Sequence, residues 1–284
     1  MKKIALFIAA VISAPVLAWT NGDVSKNVDF AGTITPEQYT QLWEWKVGTG
    51  LNDFRHNITD MNQELKKLTI PVDQPKLLLT GRTKQTLGGV SPGMGAIPNI
   101  ALSDFEKNKI QLQDGGSPDV VYFELPVKDE NNHKLGTLKV NAKVAAYSVG
   151  PDQYNTKLTA TTMHIATADN HAFWGGLKTS NATGHGQTGA LLVERLGGEP
   201  RNNLAAQVKQ FPYLPEPLTG QFVSNTTPKP LLFQQATNST KHGIASASYV
   251  MAIDSNQTME VTFDTPVTAT TKWSAPLNVA VTYN

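Results

Sequence analysis

Apolar and polar residues alternate with a period of two through much of the chain. Leu68, Ile70 and Val72 alternate across Thr69 and Pro71, and Val121, Phe123, Leu125 and Val127 form a second run that contains Pro126. Leu138, Val140, Ala142 and Val144 alternate with Lys139, Asn141 and Lys143. Met259, Val261 and Phe263 make a later run, and Leu277, Val279, Val281 and Tyr283 end the chain. Near the start, Val28, Phe30, Gly32 and Ile34 alternate with Asp29, Ala31 and Thr33. Successive side chains of a strand point to opposite faces, so each run predicts a strand with one buried face. Gly88-Gly89, Gly115-Gly116, Glu130-Asn131-Asn132 and Asp254-Ser255-Asn256 supply turns between them. The outer thirds of the chain therefore predict an all-β, antiparallel sandwich.

The middle breaks this pattern. From about residue 150 to 220 the alternation fades. Leu191, Leu192 and Leu196 carry helical spacing, and Leu204, Val208 and Phe211 repeat it at steps of four and three. Gly197-Gly198 and Pro200 separate the two stretches. This region reads as a partly helical insertion with two short helices packed on or beside the sandwich. Thr35-Pro36-Glu37-Gln38 has the form of a helix start, although the aromatics after it fit a strand equally well. No internal repeat recurs at a fixed period, which excludes a solenoid or propeller.

The N-terminus changes the picture. Lys2 and Lys3 precede the apolar run 4–12, then Ser13, Ala14 and Pro15 interrupt it and Val16-Leu17-Ala18 follows. This is the layout of a secretory signal peptide, residues 1–18, cleaved after Ala18. The run is short of the roughly 20 residues that cross a bilayer. With 24 basic and 23 acidic residues in the whole chain, loss of the leader leaves the product close to neutral, with no charge-based reason to expect nucleic acid as a partner. The 284 residues include no cysteine, so the exported chain folds without disulfides and has no thiol chemistry.

Candidate chemistry is sparse. Gly184-His185-Gly186-Gln187-Thr188-Gly189 matches a dinucleotide glycine pattern but follows a polar run and lacks the acidic partner downstream, so it reads as a loop leading into a helix. His56, His133, His164, His171, His185 and His242 have no helical metal-site spacing, and each reads as a surface histidine. Asp104 and Glu106 flank Phe105, and on a strand they would share one solvated face. No nucleophile elbow is present. The residues point to no catalytic centre, no metal and no cofactor. The readings from another class are an enzyme or a monomeric secreted lectin on a sandwich scaffold.

The two ends carry the most specific signal. An alternating final run with almost no tail leaves a last strand without a successor on its far edge, and an open apolar groove cannot persist in water. An alternating run close behind a polar mature terminus is suited to adding a strand to another subunit. Trp19-Thr20-Asn21-Gly22-Asp23, the run 28–35, Trp43-Glu44-Trp45-Lys46-Val47-Gly48-Thr49-Gly50-Leu51 and Trp273-Ser274-Ala275-Pro276-Leu277-Asn278-Val279-Ala280-Val281-Thr282-Tyr283 resemble the FaeG-type major fimbrial subunits and adhesins of the enterobacterial chaperone–usher pathway. The resemblance covers roughly half of the mature chain, and the middle, residues 150–235, diverges.

The resemblance implies an incomplete immunoglobulin-like β-sandwich completed by donor-strand exchange. Residues 19–36 would form the donor-strand arm, with Val28, Phe30, Gly32 and Ile34 as donor residues. Residues 37–284 would form the pilin and adhesin domain, with an insertion at about 150–220. The last strand, Leu277, Val279, Val281 and Tyr283 with Asn284, would face a periplasmic chaperone, and an outer-membrane usher would exchange it for the next subunit. Partners would be identical or related fimbrial subunits and a host glycoconjugate receptor. Within the insertion, His171, Phe173, Trp174, Lys178 and Arg195 are the candidate glycan-binding residues, because aromatic faces stack on sugar rings and polar groups bond hydroxyls. Packing of Phe173 and Trp174 onto the sandwich is the competing reading. The expected location is a fimbrium on the cell surface, as its major or a minor subunit.

Overall fold

In a computed structural model of the chain, the residues described are 42–88, 97–151, 157–179, 188–212, 214, 218, 223–225 (backbone only) and 244–283. The expected signal peptide, the donor run 28–34, the segment 35–38 and Asn284 lie outside the described residues. Their strands, in chain order, are β1 (Trp43–Val47), β2 (Met61–Asn62), β3 (Lys67–Pro71), β4 (Lys76–Thr83), β5 (Pro98–Ser103), β6 (Lys109–Ile110), β7 (Gln113–Asp114), β8 (Val120–Lys128), β9 (Lys134–Pro151), β10 (Leu158–Met163), β11 (Val223–Asn225), β12 (Ser246–Ile253), β13 (Thr258–Phe263) and β14 (Asn278–Tyr283). Two helices, α1 (Gly189–Arg195) and α2 (Arg201–Lys209), lie between β10 and β11. The fold is an all-β, immunoglobulin-like sandwich.

One large sheet runs β1-β4-β12-β9-β13-β3-β2, and a small sheet runs β14-β5-β6. The 18-residue β9 organises the large sheet. Its first half pairs with β8 and β13, and its second half with β12 and β10. The alternating runs behave as their periodicity requires. In β8, Val121, Phe123, Leu125 and Val127 are buried, while Tyr122, Glu124 and Pro126 face outward or sit at intermediate depth. Ile100 and Leu102 of the small sheet share one core with these residues, with Leu138 and Val140 of β9 and with Met259 and Val261 of β13.

A second core lies on the other face of β9 and β12. Ala145, Tyr147, Val149, Val250 and Ala252 pack there against Leu192, Val193, Leu204 and Val208 of the helices. The Thr188 hydroxyl accepts from the Leu191 amide at the start of α1. Gly197, at φ +89°, ends that helix in the left-handed conformation that glycine adopts without strain, and the Gly198 amide returns to the Val193 carbonyl at 2.8 Å. The Arg195 guanidinium grips the Asp254 carboxylate bidentately at 2.5 and 2.8 Å. Lys143 adds a second cation at 3.3 Å. Burial pushes the Asp254 carboxyl up, but the Arg195 hydrogen bonds and the two positive charges outweigh it and hold the group below its ordinary value. This network fastens the helical layer to the turn between β12 and β13.

Two expectations are corrected. His164 is buried, at 1 % exposure, where the chain leaves β10, and its carbonyl accepts from the Lys178 amide. Asp104 and Glu106 are not strand neighbours on one solvated face. Asp104 is buried in the turn after β5, where Oδ1 accepts from the amides of Glu106 and Asn108. Beside its two helices, the stretch beginning at 150 contains a strand, β10, paired antiparallel with β9.

Candidate functional site

The candidate site is the side of the last strand that has no partner among the described residues. Trp273, Ala275, Leu277, Val279, Val281 and Tyr283 form a period-two stripe along the last extended segment, and every one of them is only half-buried. The equivalent inward stripe of β8 is 0–3 % exposed. Both stripes face the interior, and Trp273, Ala275, Leu277, Val279 and Tyr283 pack against the main core. The difference is on the next position in the sheet. Among the described residues β14 pairs with β5 alone, and β1 pairs with β4 alone, so each strand presents a free edge.

An apolar groove of about 1020 Å³ lies beside these edges. Leu78, Phe123, Leu125, Leu138, Val140, Ile253 and Met259 line its interior, and Leu277 and Val279 line its side. The segment 47–55 forms the opposite wall, where Val47 is 60 % exposed. Asp53, Arg55, Asp129, Glu130 and Lys272 ring one end. They are largely paired with one another, Arg55 with Asp53 and Lys272 with Glu130, each at 3.0 Å.

The backbone of the edge is prepared for a further strand. Ser274 exchanges two hydrogen bonds with Lys128, each 2.9 Å, on the side of the small sheet. Along an extended strand the amide and carbonyl of successive residues point to opposite edges. Those of Trp273 and Ala275 therefore face the groove. Pro276 falls in the same set as Ser274, so its missing N–H removes nothing from the open edge.

Beyond Val279, the last residue of β14 that lines the groove, aromatic side chains gather. The Trp45 indole N–H donates to the Tyr283 hydroxyl at 2.8 Å, which joins β1 to β14 directly. Trp43 stacks on Trp45 with centroids 6.1 Å apart, Phe173 meets Trp43 edge-on at 5.5 Å, and Phe173 stacks on Tyr249 at 5.1 Å. The Tyr249 hydroxyl donates to the Gly176 carbonyl. Phe173 holds φ +64°, a strained conformation for a bulky residue that persists because the packing around it is complete. Gly81 is required beneath Trp45, because a Cβ there would lie 2.4 Å from the indole ring.

The candidate glycan residues scatter. Phe173 is fully buried and Lys178 is 2 % exposed, so neither reaches a ligand on this surface, and both leave the candidate set. Lys178 donates to Asp114 and to the Ser117 carbonyl, each at 2.5 Å, and pins the β7–β8 turn. The Lys178 hydrogen bond holds the Asp114 carboxyl below its ordinary value. Arg195 is committed to Asp254. His171 Nδ1 accepts from the Thr167 amide in a local turn, and Trp174 is half-buried beside Asn99. The five do not converge on one pocket. No group of three or more metal-ligating side chains occurs among the described residues. No described helix is long and apolar enough to cross a membrane.

The family model described as "Fimbrial, major and minor subunit" matches residues 1–284. The chain belongs to this K88-type fimbrial subunit family. Among similar proteins, the K88 fimbrial protein AD of Escherichia coli is 36% identical over 294 residues, and the K88 fimbrial protein AC of the same organism is 35% identical over 291 residues. The K88 fimbrial protein AB is 36% identical over 295 residues, and all three alignments span the full length of both chains. The match extends through the middle, where the sequence alone gave no recognisable likeness. This protein is thus a fimbrial subunit of the cell surface, a structural protein rather than an enzyme, which assembles with related subunits.

Proposed function

We propose that this K88-type subunit polymerises by donor-strand exchange, with residues 19–36 of one copy completing the sandwich of the next. The observation that supports it is the half-buried inward stripe 273–283 beside an apolar groove, on a strand whose outer edge has no described partner. The occupant is the run Val28, Phe30, Gly32 and Ile34, whose apolar period matches that of the stripe. Burying Val28, Phe30 and Ile34 at about 1.5–3 kcal/mol each contributes roughly 5–9 kcal/mol, comparable with the whole stability of a domain. Before assembly a periplasmic chaperone covers the same edge, with Tyr283 and the terminal carboxylate of Asn284 at its end, and an outer-membrane usher exchanges it. The subunit is the major one of its fimbria.

Adhesion to host glycoconjugates is the second part of the proposal, with the insertion as the receptor-facing layer. Trp174 and His171 are the remaining half-exposed candidates. Thermal unfolding of purified chain with and without a peptide of residues 23–35 tests the first part, and a raised Tm is expected. A stable mature monomer indifferent to the peptide would overturn it and favour a monomeric lectin. Trp174→Ala tests the second, with fimbriae retained and binding to host glycoconjugate lost. Reduced subunit yield instead would mark Trp174 as core.

A further inference from the structure

We infer that the Trp45–Tyr283 contact is a register stop, which ends the groove at Val279 and fixes the incoming strand with Val28 beside Val279 and Ile34 beside Trp273. This rests on the donor-strand reading and adds what that reading leaves open, namely where the strand halts.

The argument begins with the limits of the groove. Trp273, Ala275, Leu277 and Val279 line it, whereas Val281 and Tyr283, on the same face of the same segment, do not. The groove ends between Val279 and Tyr283, where the indole of Trp45 reaches across from β1 and bonds the Tyr283 hydroxyl. Behind that bond stand Trp43, Phe173 and Tyr249, packed ring to ring. Apolar side chains of an added strand cannot enter there without displacing them.

Four apolar inward positions therefore remain, since Thr271, the next of that set, is polar and exposed, and the arm has four on its apolar face, 28, 30, 32 and 34. Both sets span six residue intervals, about 20 Å at 3.3 Å per residue. Residues before Val28 are Ser25, Lys26 and Asn27, which are polar and suit a path outside the aromatic barrier. Residues after Ile34 lead to the donor's own body, which starts at β1 nine positions later. The body is placed at the open, charge-ringed end, where the link of residues 35–42 need not pass the aromatic barrier. That places the N-terminal side of the arm at the barrier, so the added strand runs antiparallel to β14. Gly32 then lies beside Ala275 and Phe30 beside Leu277.

Because the chain lacks cysteine, engineered pairs report register directly. Asp29 and Asn278 would be neighbours on the outward faces, within the 4.4–6.8 Å Cα range of a disulfide. A two-residue slip moves Asp29 to Ala280, about 6.6 Å away along the strand. Full-length chain carrying Asp29→Cys with Asn278→Cys, expressed with its assembly machinery, should give a ladder of cross-linked multimers on a non-reducing gel that collapses on reduction. Asp29→Cys with Ala280→Cys should give little. Adding Trp45→Ala should redistribute cross-linking toward position 280, and Tyr283→Phe, which keeps the ring and removes the bond, serves if that variant does not fold.

Dominant cross-linking at 280 in the otherwise native chain would overturn the register. Cross-linking at 278 that neither Trp45→Ala nor Tyr283→Phe changes would overturn the stop while leaving donor-strand exchange intact. Fibres that form with no cross-link at any pair would count against strand donation itself.

Discussion

Val279 and Ala280 are adjacent, so an aspartate at one or the other adds the same charge to the chain and places it on opposite faces. Val279 points into the groove and is half-buried, while Ala280 is exposed on the outer face. In an assembled fibre a carboxylate at 279 would be enclosed by the added strand, with Leu277 beside it and the apolar interior beneath. An uncompensated buried charge costs about 3–5 kcal/mol. At 1.4 kcal/mol per factor of ten, assembly would weaken by about a hundred- to a thousandfold or more. A carboxylate at 280 remains in water and shifts stability by about 0.5 kcal/mol or less. The assay is the amount of fimbriae sheared from cells, compared with subunit retained in the periplasm. Val279→Asp should leave subunit in the periplasm without fibres, and Ala280→Asp should assemble. Peptide 23–35 should raise the Tm of Ala280→Asp and fail to raise that of Val279→Asp. Equal behaviour of the two variants would refute the claim that the inward stripe of β14 is the polymerisation surface.

Three further outcomes follow from the geometry. Because the folded Asp254 carboxyl titrates below its ordinary 3.8, the stabilisation it provides is complete above that value and is lost as pH falls through the folded one. The Tm gap between the native chain and Asp254→Asn should therefore be full at neutral pH and shrink below about pH 4 in a pH series of thermal melts. Gly81→Val drives a side chain into the Trp45 ring and should cost about 1–3 kcal/mol in denaturant unfolding, with a changed near-ultraviolet signal from the tryptophans. Phe173→Ala empties a fully enclosed site between three other aromatic rings and should cost about 3–5 kcal/mol by the same unfolding measurement.

Strands with one wet face were legible in the sequence, and strands without one were not. The runs at Leu68, Val121, Leu138, Met259 and Leu277 alternate because only one side of each is buried. Strand β12, Ser-Ala-Ser-Tyr-Val-Met-Ala-Ile, is buried at every position. Tyr249, Met251 and Ile253 enter the main core, while Val250 and Ala252 meet the helices. Burial on both faces erases the period-two signal. For the same reason β9 was visible to Val144, although it continues to Pro151. The helices were legible because Leu204 and Val208 keep one apolar face and Gly197 and Pro200 punctuate them. The groove was half legible. Its edge strand showed in the alternation of 277–283, but the aromatic barrier depends on Trp45, Phe173 and Tyr249 meeting from three distant segments. Phe173 and Lys178 look like ligand-binding residues in sequence because nothing local reveals that a loop folds them inward.

The helical layer bears on how the sandwich is stable beside its groove. Leu125, Leu138, Val140 and Met259 of the main core floor the groove, although none is more than 6 % exposed. The second core, on the far face of β9 and β12, is complete within the chain. There Tyr147 is fully buried and its hydroxyl donates to the Glu199 carbonyl between the helices. Deleting residues 189–209 to obtain a minimal subunit would uncover Tyr147, Val149 and Val250, at about 1.5–3 kcal/mol each. That removes roughly 5–9 kcal/mol from a domain whose total is about 5–15 kcal/mol. The shortened chain should be degraded or insoluble in the periplasm even when the peptide 23–35 is supplied in trans. A soluble deletion variant that still assembled would show that the helical layer is dispensable cover, and that the half-open sandwich is stable by its main core alone.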